Sequence, residues 1–251
     1  MTPAERQDAL ASIAAEVNVC IRCPLHIGRT RAVPGDGHPG TEVVFVGEGP
    51  GYNEDRLGLP FVGAAGNLLN EMLSAIGWRR EEVFVTNVVK CRPPGNRDPE
   101  PAEIAACAPY LRRQLEVLDP ALVVTLGRFS LQTFMPGARI GATHGTARPA
   151  APDTGATSAT AYAMYHPAAA LRQGSLRETM LLDMTGLPRA LTDARARRDL
   201  AAGPAAPAAI PATQTSVTPP AAMASPNHTS PVDAVAVTAG HDDHDDQMEL
   251  F

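Results

Sequence analysis

The chain has 251 residues and a formal net charge of −6, from 21 basic and 27 acidic side chains. Six of the acids, Asp233, Asp242, Asp243, Asp245, Asp246 and Glu249, lie beyond residue 200, where there is no Lys or Arg, so the first 200 residues carry 21 charges of each sign. The acidity therefore does not exclude a nucleic-acid partner, because binding depends on local charge, while the lack of any apolar run near the roughly 18 residues of a bilayer span argues against a membrane helix.

In chain order, Leu10, Ile13, Ala14 and Val17 recur at helical spacing and predict a helix over 3–17. It delivers the chain to Cys20 and Cys23. A Gly/Pro-rich stretch over 28–40 precedes Val43-Val44-Phe45-Val46, an apolar run suited to a buried strand. Further strands are predicted over 83–89 and 122–126, with a weaker one over 162–165, and helices over 65–76, 101–118, 128–134 and 175–198. The segment 150–160 reads as a surface loop. Strands alternating with helices predict an α/β fold, a three-layer α/β/α sandwich around a central, mostly parallel four-stranded sheet. From 201 to 240 the sequence is rich in Ala, Pro, Thr and Ser without an aromatic residue, too little apolar surface to offset ordering. The expected organisation is a domain over 1–200, a disordered linker over 201–240 and an acidic tail over 241–251. Met-Thr-Pro-Ala-Glu-Arg lacks the basic-then-apolar order of a signal peptide, so a cytoplasmic location is expected.

Ligands of parallel sheets bind beyond the carboxyl ends of the strands. Three polar motifs fall there: Gly47-Glu48-Gly49-Pro50-Gly51, Asn87 through Pro94, and His166-Pro167-Ala168. The glycine loop permits close backbone approach to a ligand, yet it has neither the Gly-Lys-Ser/Thr ending of a Walker loop nor Gly-x-Gly-x-x-Gly spacing. Cys20-x2-Cys23 and Cys91-x15-Cys107 are four thiols that could close a zinc site or hold an iron-sulfur cluster. Spacing alone does not choose between the two metals.

Together with Pro60-Phe61-Val62-Gly63 and Thr86-Asn87-Val88-Val89-Lys90-Cys91-Arg92-Pro93-Pro94, these motifs resemble the family 4 uracil-DNA glycosylases, the iron-sulfur branch of that superfamily. The resemblance runs from Cys20 to Leu182. It implies an enzyme that flips uracil out of single- or double-stranded DNA and hydrolyses its N-glycosidic bond, initiating base excision repair. It also implies a [4Fe-4S] cluster on Cys20, Cys23, Cys91 and Cys107. In the catalytic set it implies, His166 donates to uracil O2, Asn87 reads the O4 and N3–H edge, and Glu48 has a pocket role. Phe61 stacks on the base, Gly49 lines the pocket, and Glu54 lies against C5, where a thymine methyl would clash. DNA contact is expected from Arg92, Leu171 and Arg172, with Leu171 as the apolar wedge. No basic insertion with a His follows Cys91, so turnover rather than covalent trapping of uracil is expected.

The final Gln247-Met248-Glu249-Leu250-Phe251 resembles the pentapeptide by which bacterial repair proteins dock on the DNA sliding clamp, with Gln247, Met248, Leu250 and Phe251 as its anchors. A nucleoid-associated monomer tethered to the clamp is the expected form. The competing class is a non-catalytic, metal-stapled DNA-binding module recruited to the same clamp.

Overall fold

The structure is a computed structural model and describes residues 1–202. Its strands are β1 (Asp36–Gly37), β2 (Val43–Gly47), β3 (Phe84–Asn87), β4 (Leu122–Leu126), β5 (Ala147–Pro149) and β6 (Thr160–Met164). The helices are α1 (Pro3–Asn18), α2 (Leu25–Gly28), α3 (Tyr52–Leu57), α4 (Ala64–Ala75), α5 (Pro101–Leu118), α6 (Arg128–Phe134), α7 (Ile140–Thr143), α8 (Pro167–Arg172), α9 (Ser175–Thr185) and α10 (Leu187–Ala202).

The strand order is β1-β3-β2-β4-β6-β5. The inner four strands are mutually parallel, whereas β1 and β5 pair antiparallel at the two edges. The sheet among the described residues thus has six strands, where the sequence predicts four. The two additions are two and three residues long, and β5 is exposed throughout, so neither carries an apolar pattern to read.

Each inner strand is buried along its whole length, and the side-chain period of two divides its residues between two cores. Val43, Phe45, Val124 and Leu126 pack with α4, α9 and α10 through Leu69, Met72, Met180 and Leu187. Val44, Val46, Val123 and Ala163 pack on the other face with Leu10 of α1, Leu111 and Leu115 of α5, and Leu131 and Phe134 of α6. This is the expected three-layer sandwich.

Local chemistry sets several boundaries. Thr2 and Glu5 cap α1 reciprocally, Thr2 N donating to Glu5 Oε2 at 2.7 Å and Glu5 N to Thr2 Oγ1 at 3.3 Å. The second strand ends at Asn87 rather than residue 89, because Val88 and Val89 follow the Gly47-Glu48 loop out of the sheet, donating to the carbonyls of Gly47 and Glu48. The single helix expected over 175–198 is broken at Gly186, which is followed by Leu187-Pro188 opening α10. The stretch 150–160 is not simply a surface loop, since Ala150, Ala156 and Ala159 are buried in the second core. There Gly155, at φ 82, lies so close to the Arg112 carbonyl that no side chain fits.

Candidate active site

The chain leaves β2 to make β3 on one side and later β4 on the other, so a crevice opens at the carboxyl ends where the strand order reverses. A cleft of about 510 Å³ lies there. Its lining brings together Glu48, Gly49, Glu54, Phe61, Asn87, His166 and Arg172 of the residues singled out from sequence. Leu171, 52% exposed on α8, and Arg92 lie outside that lining.

Asn87, the last residue of β3, is 1% exposed and its Oδ1 has no hydrogen-bond partner. An orphaned buried acceptor is costly, so its persistence at the wall of a cleft marks a place where a ligand donor belongs. Phe61 is held at φ 55, a left-handed conformation rare for an aromatic residue. Two glycines make room for it. A Cβ on Gly47 would meet Asn87 Oδ1 and stand 2.8 Å from Phe61 Cζ, and a Cβ on Gly66 would collide with the Phe61 carbonyl.

The Phe61 ring stacks on His166, with centroids 5.6 Å apart and planes 29° apart. His166 caps α8, its Nδ1 accepting the Ala168 N–H at 3.1 Å. That bond places the proton of the neutral ring on Nε2. Burial, helped by nearby Arg172, pushes the His166 pKa down to about 4 against the opposing pull of Glu54, so the ring is neutral at pH 7. Gly127, at φ 87, gives the imidazole its space, since a Cβ there would stand 3.0 Å from His166 Cβ.

Glu54 is fully engaged by backbone. Its Oε1 accepts from Val62 N and Gly63 N at 2.9 Å each, and Oε2 from Gly51 N at 3.1 Å, stapling the glycine loop to the Phe61 segment. Glu48 makes no such bonds; burial and then the charge of Asp98 raise its carboxyl pKa, while Arg128 and Arg172 oppose this. Asp55 is buried and accepts the Thr30 N–H at 2.9 Å.

The cleft also contains Asn96, Arg97, Asp98 and Arg128, which sequence reasoning missed. Arg128 stands two residues after β4, as His166 does after β6, so the strand-end rule that found His166 applied to it equally. Arg97 grips Glu103 through bonds of 2.7 and 2.9 Å, and Arg128 pairs with Asp98, linking the 94–98 loop to α5 and α6.

The four cysteines line one small cavity, walled by Val17, Leu25, Val89 and Tyr110. Among the described residues no three metal-binding side chains stand in a ready ligand arrangement, but the environment suits thiolates. Arg29 Nη1 donates to Cys91 Sγ at 3.2 Å, Lys90 N to Cys107 Sγ at 3.3 Å and Arg22 N to Cys20 Sγ at 3.5 Å. Burial pushes the Cys91 thiol up and that of Cys107 up to about 11, while Arg29 beside Cys91 and Lys90 beside Cys107 oppose this. Four sulfurs, three of them with N–H donors aimed at them, are a fitting donor set for a metal-sulfur centre.

Comparison with known proteins places the chain in a family. The family model described as the uracil DNA glycosylase superfamily matches residues 34–184, more than half of the chain. A type-4 uracil-DNA glycosylase of Sulfurisphaera tokodaii is 58% identical over 124 residues, 49% of this chain and 56% of its own length. That of Thermotoga maritima is 48% identical over 138 residues, 55% of this chain and 72% of its own length. That of Pyrobaculum aerophilum is 44% identical over 170 residues, 66% of this chain and 86% of its own length. The chain spans little more than half the length of the Sulfurisphaera relative. The matched segment contains all three of Phe61, Asn87 and His166, and with relatives 48% and 44% identical over most of their own length it gives one assignment: the chain belongs to the uracil DNA glycosylase superfamily, in its type-4 branch.

Proposed function

We propose that the chain releases uracil from DNA by hydrolysis. The bond between C1′ and N1 breaks, uracil leaves with the electron pair, water adds to C1′ with loss of a proton, and an abasic site remains for base excision repair. The observation that carries this reading is the pairing, in one cleft, of the unpartnered Asn87 Oδ1 with a neutral His166 whose Nε2 proton is free. A flipped uracil offers N3–H to Asn87 and presents O2 to His166 as negative charge builds there. The neutral ring can still donate here, because Nδ1 accepts from Ala168 N and the proton sits on Nε2.

Phe61 supplies the stacking surface. Glu54, held by three backbone N–H groups, forms a fixed wall against C5, and that fixity supports exclusion of a methyl group. Glu48 and Gly49 complete the pocket. Arg172 lines the cleft and would take a phosphate, Leu171 is the exposed apolar tip for the wedge, and Arg92, bonded to the cleft-lining Asn96, is a further DNA contact. Cys20, Cys23, Cys91 and Cys107 would hold a [4Fe-4S] cluster, which supplies a structural cross-link between the N-terminal segment, the loop after β3 and α5.

The linker and the clamp-binding residues Gln247, Met248, Leu250 and Phe251 lie outside the described residues. The proposal for them rests on sequence: a catalytic domain over 1–200 joined by a tether to a docking peptide, working as a monomer at the nucleoid. No helix among the described residues is long and apolar enough to cross a membrane.

The test is uracil release from single- and double-stranded oligonucleotides. The wild-type chain is expected to release free uracil, and His166→Ala to lose about 100-fold or more in kcat. DNA binding without release would replace the enzyme by a non-catalytic DNA-binding module.

A further inference from the structure

Tyr52 opens α3 directly after Gly51 of the cleft wall, yet its ring is turned outward and 55% exposed. Two guanidinium groups lie against it: Arg92 with Cζ 5.3 Å from the ring centroid and Arg56 at 5.6 Å. Arg92 is oriented by Asn96, whose Oδ1 accepts from Nε at 2.7 Å, and Asn96 lines the cleft. Neither arginine pairs with a carboxylate among the described residues, unlike Arg97, Arg113, Arg128, Arg177 and Arg195. The acids of α3 are spent inward, Glu54 on the loop backbone and Asp55 on Thr30 N. The outward face of α3 is therefore an aromatic plane with two unneutralised cations against it, joined to the cleft through Gly51 before Tyr52 and through Asn96 beside Arg92.

We propose that Tyr52, Arg56 and Arg92 form a docking platform for the DNA strand that continues from the flipped nucleotide. One base stacks on the Tyr52–guanidinium surface, and the arginine displaced from the ring takes a backbone phosphate. The chemistry fits single-stranded DNA, because every base offers a π face and each phosphate a charge that the arginines lack. It rests on the uracil-release reading for the position of the flipped nucleotide.

The experiment uses full-length chain and fluorescein-labelled oligonucleotides carrying 2′-fluoro-2′-deoxyuridine, which resists cleavage, read by anisotropy. The uracil analogue stands within a trinucleotide, extended by four nucleotides on the 5′ side or the 3′ side only. Wild type is expected to gain affinity about tenfold on extension to one side. Tyr52→Ala should abolish that gain, Tyr52→Phe should keep it, and Arg56→Ala should reduce the salt slope of binding by about 0.7. All three variants should match wild type on the trinucleotide. A wild type with no extension gain, or a Tyr52→Ala variant with the full gain, overturns the platform. Uracil release is assayed separately on ordinary deoxyuridine oligonucleotides, so failure there strikes the proposed activity, while the anisotropy still reports on the platform.

Discussion

His166 shows how one residue's surroundings determine what it can do. Its pKa of about 4 lies below the ordinary 6.5 because burial disfavours the imidazolium. Between those values the unfolded chain binds the extra proton and the folded one does not, so stability rises with pH across this window. It is lost as pH falls from 6.5 toward 4, by about 3 kcal/mol at full extent. For the proposed catalysis the sign is favourable, since the neutral imidazole persists well below pH 6. The pH profile of kcat is expected to show no acid limb from His166 until near pH 4. Any limb at higher pH should belong to Glu48, whose carboxyl is raised by burial and by Asp98, and should vanish in Glu48→Gln. A limb near 6.5 that persists in Glu48→Gln contradicts the assignment. Lys90 is the buried counterpart on the other side of β3: its Nζ donates to Thr86 Oγ1, the Asn87 carbonyl and Gln114 Oε1 at 2.5, 2.9 and 2.7 Å, fixing the backbone that carries Asn87.

At the scale of elements, the site depends on how closely α4 approaches the Phe61 segment. Gly66 lies in the first turn of α4 with the Phe61 carbonyl against it, leaving no room for a methyl group. Gly66→Ala must push α4 or Phe61 away, at a cost of about 3 kcal/mol with loss of the Phe61–His166 stack. Gly174→Ala, with nothing near the added Cβ and an ordinary negative φ, is the control and should stay within about 0.5 kcal/mol. Urea unfolding with uracil-release kinetics measures both, and equal stability of the two variants would refute the packing argument.

Across the molecule, the cysteine cavity joins segments far apart in sequence: the turn after α1, the loop after β3 and the middle of α5. A metal centre held there, as proposed, would act as a long-range cross-link. Purified anaerobically, the chain is expected to contain about four iron atoms and to be coloured, and Cys107→Ser should lower its melting midpoint by roughly 10 °C, from about 3 kcal/mol of lost cross-linking. A colourless protein with stoichiometric zinc would overturn the iron assignment. For the tail, deleting residues 247–251 should abolish binding to the sliding clamp in surface plasmon resonance and leave uracil release from short oligonucleotides unchanged.

Much of this was legible in the sequence, because it depended on local pattern. The buried parallel strands announced themselves as apolar runs, α5 and α6 as periodic segments, and the motif residues by their place after strands. The edge strands β1 and β5 were not legible, since pairing at an edge takes only a few backbone hydrogen bonds and demands no side-chain pattern. The acid and base partners of the cleft, Asp98 with Arg128 and Arg97 with Glu103, were equally hidden, because charged residues look alike until the fold brings them together. Sequence by itself determined the α/β alternation, the four cysteines and the three polar motifs at the strand ends. Only the tertiary structure decided that Asn87 is left without a partner, that His166 is neutral with its proton on Nε2, and that Phe61 is strained against it. Those properties arise from burial and from contacts between segments distant in the chain, which no local pattern encodes.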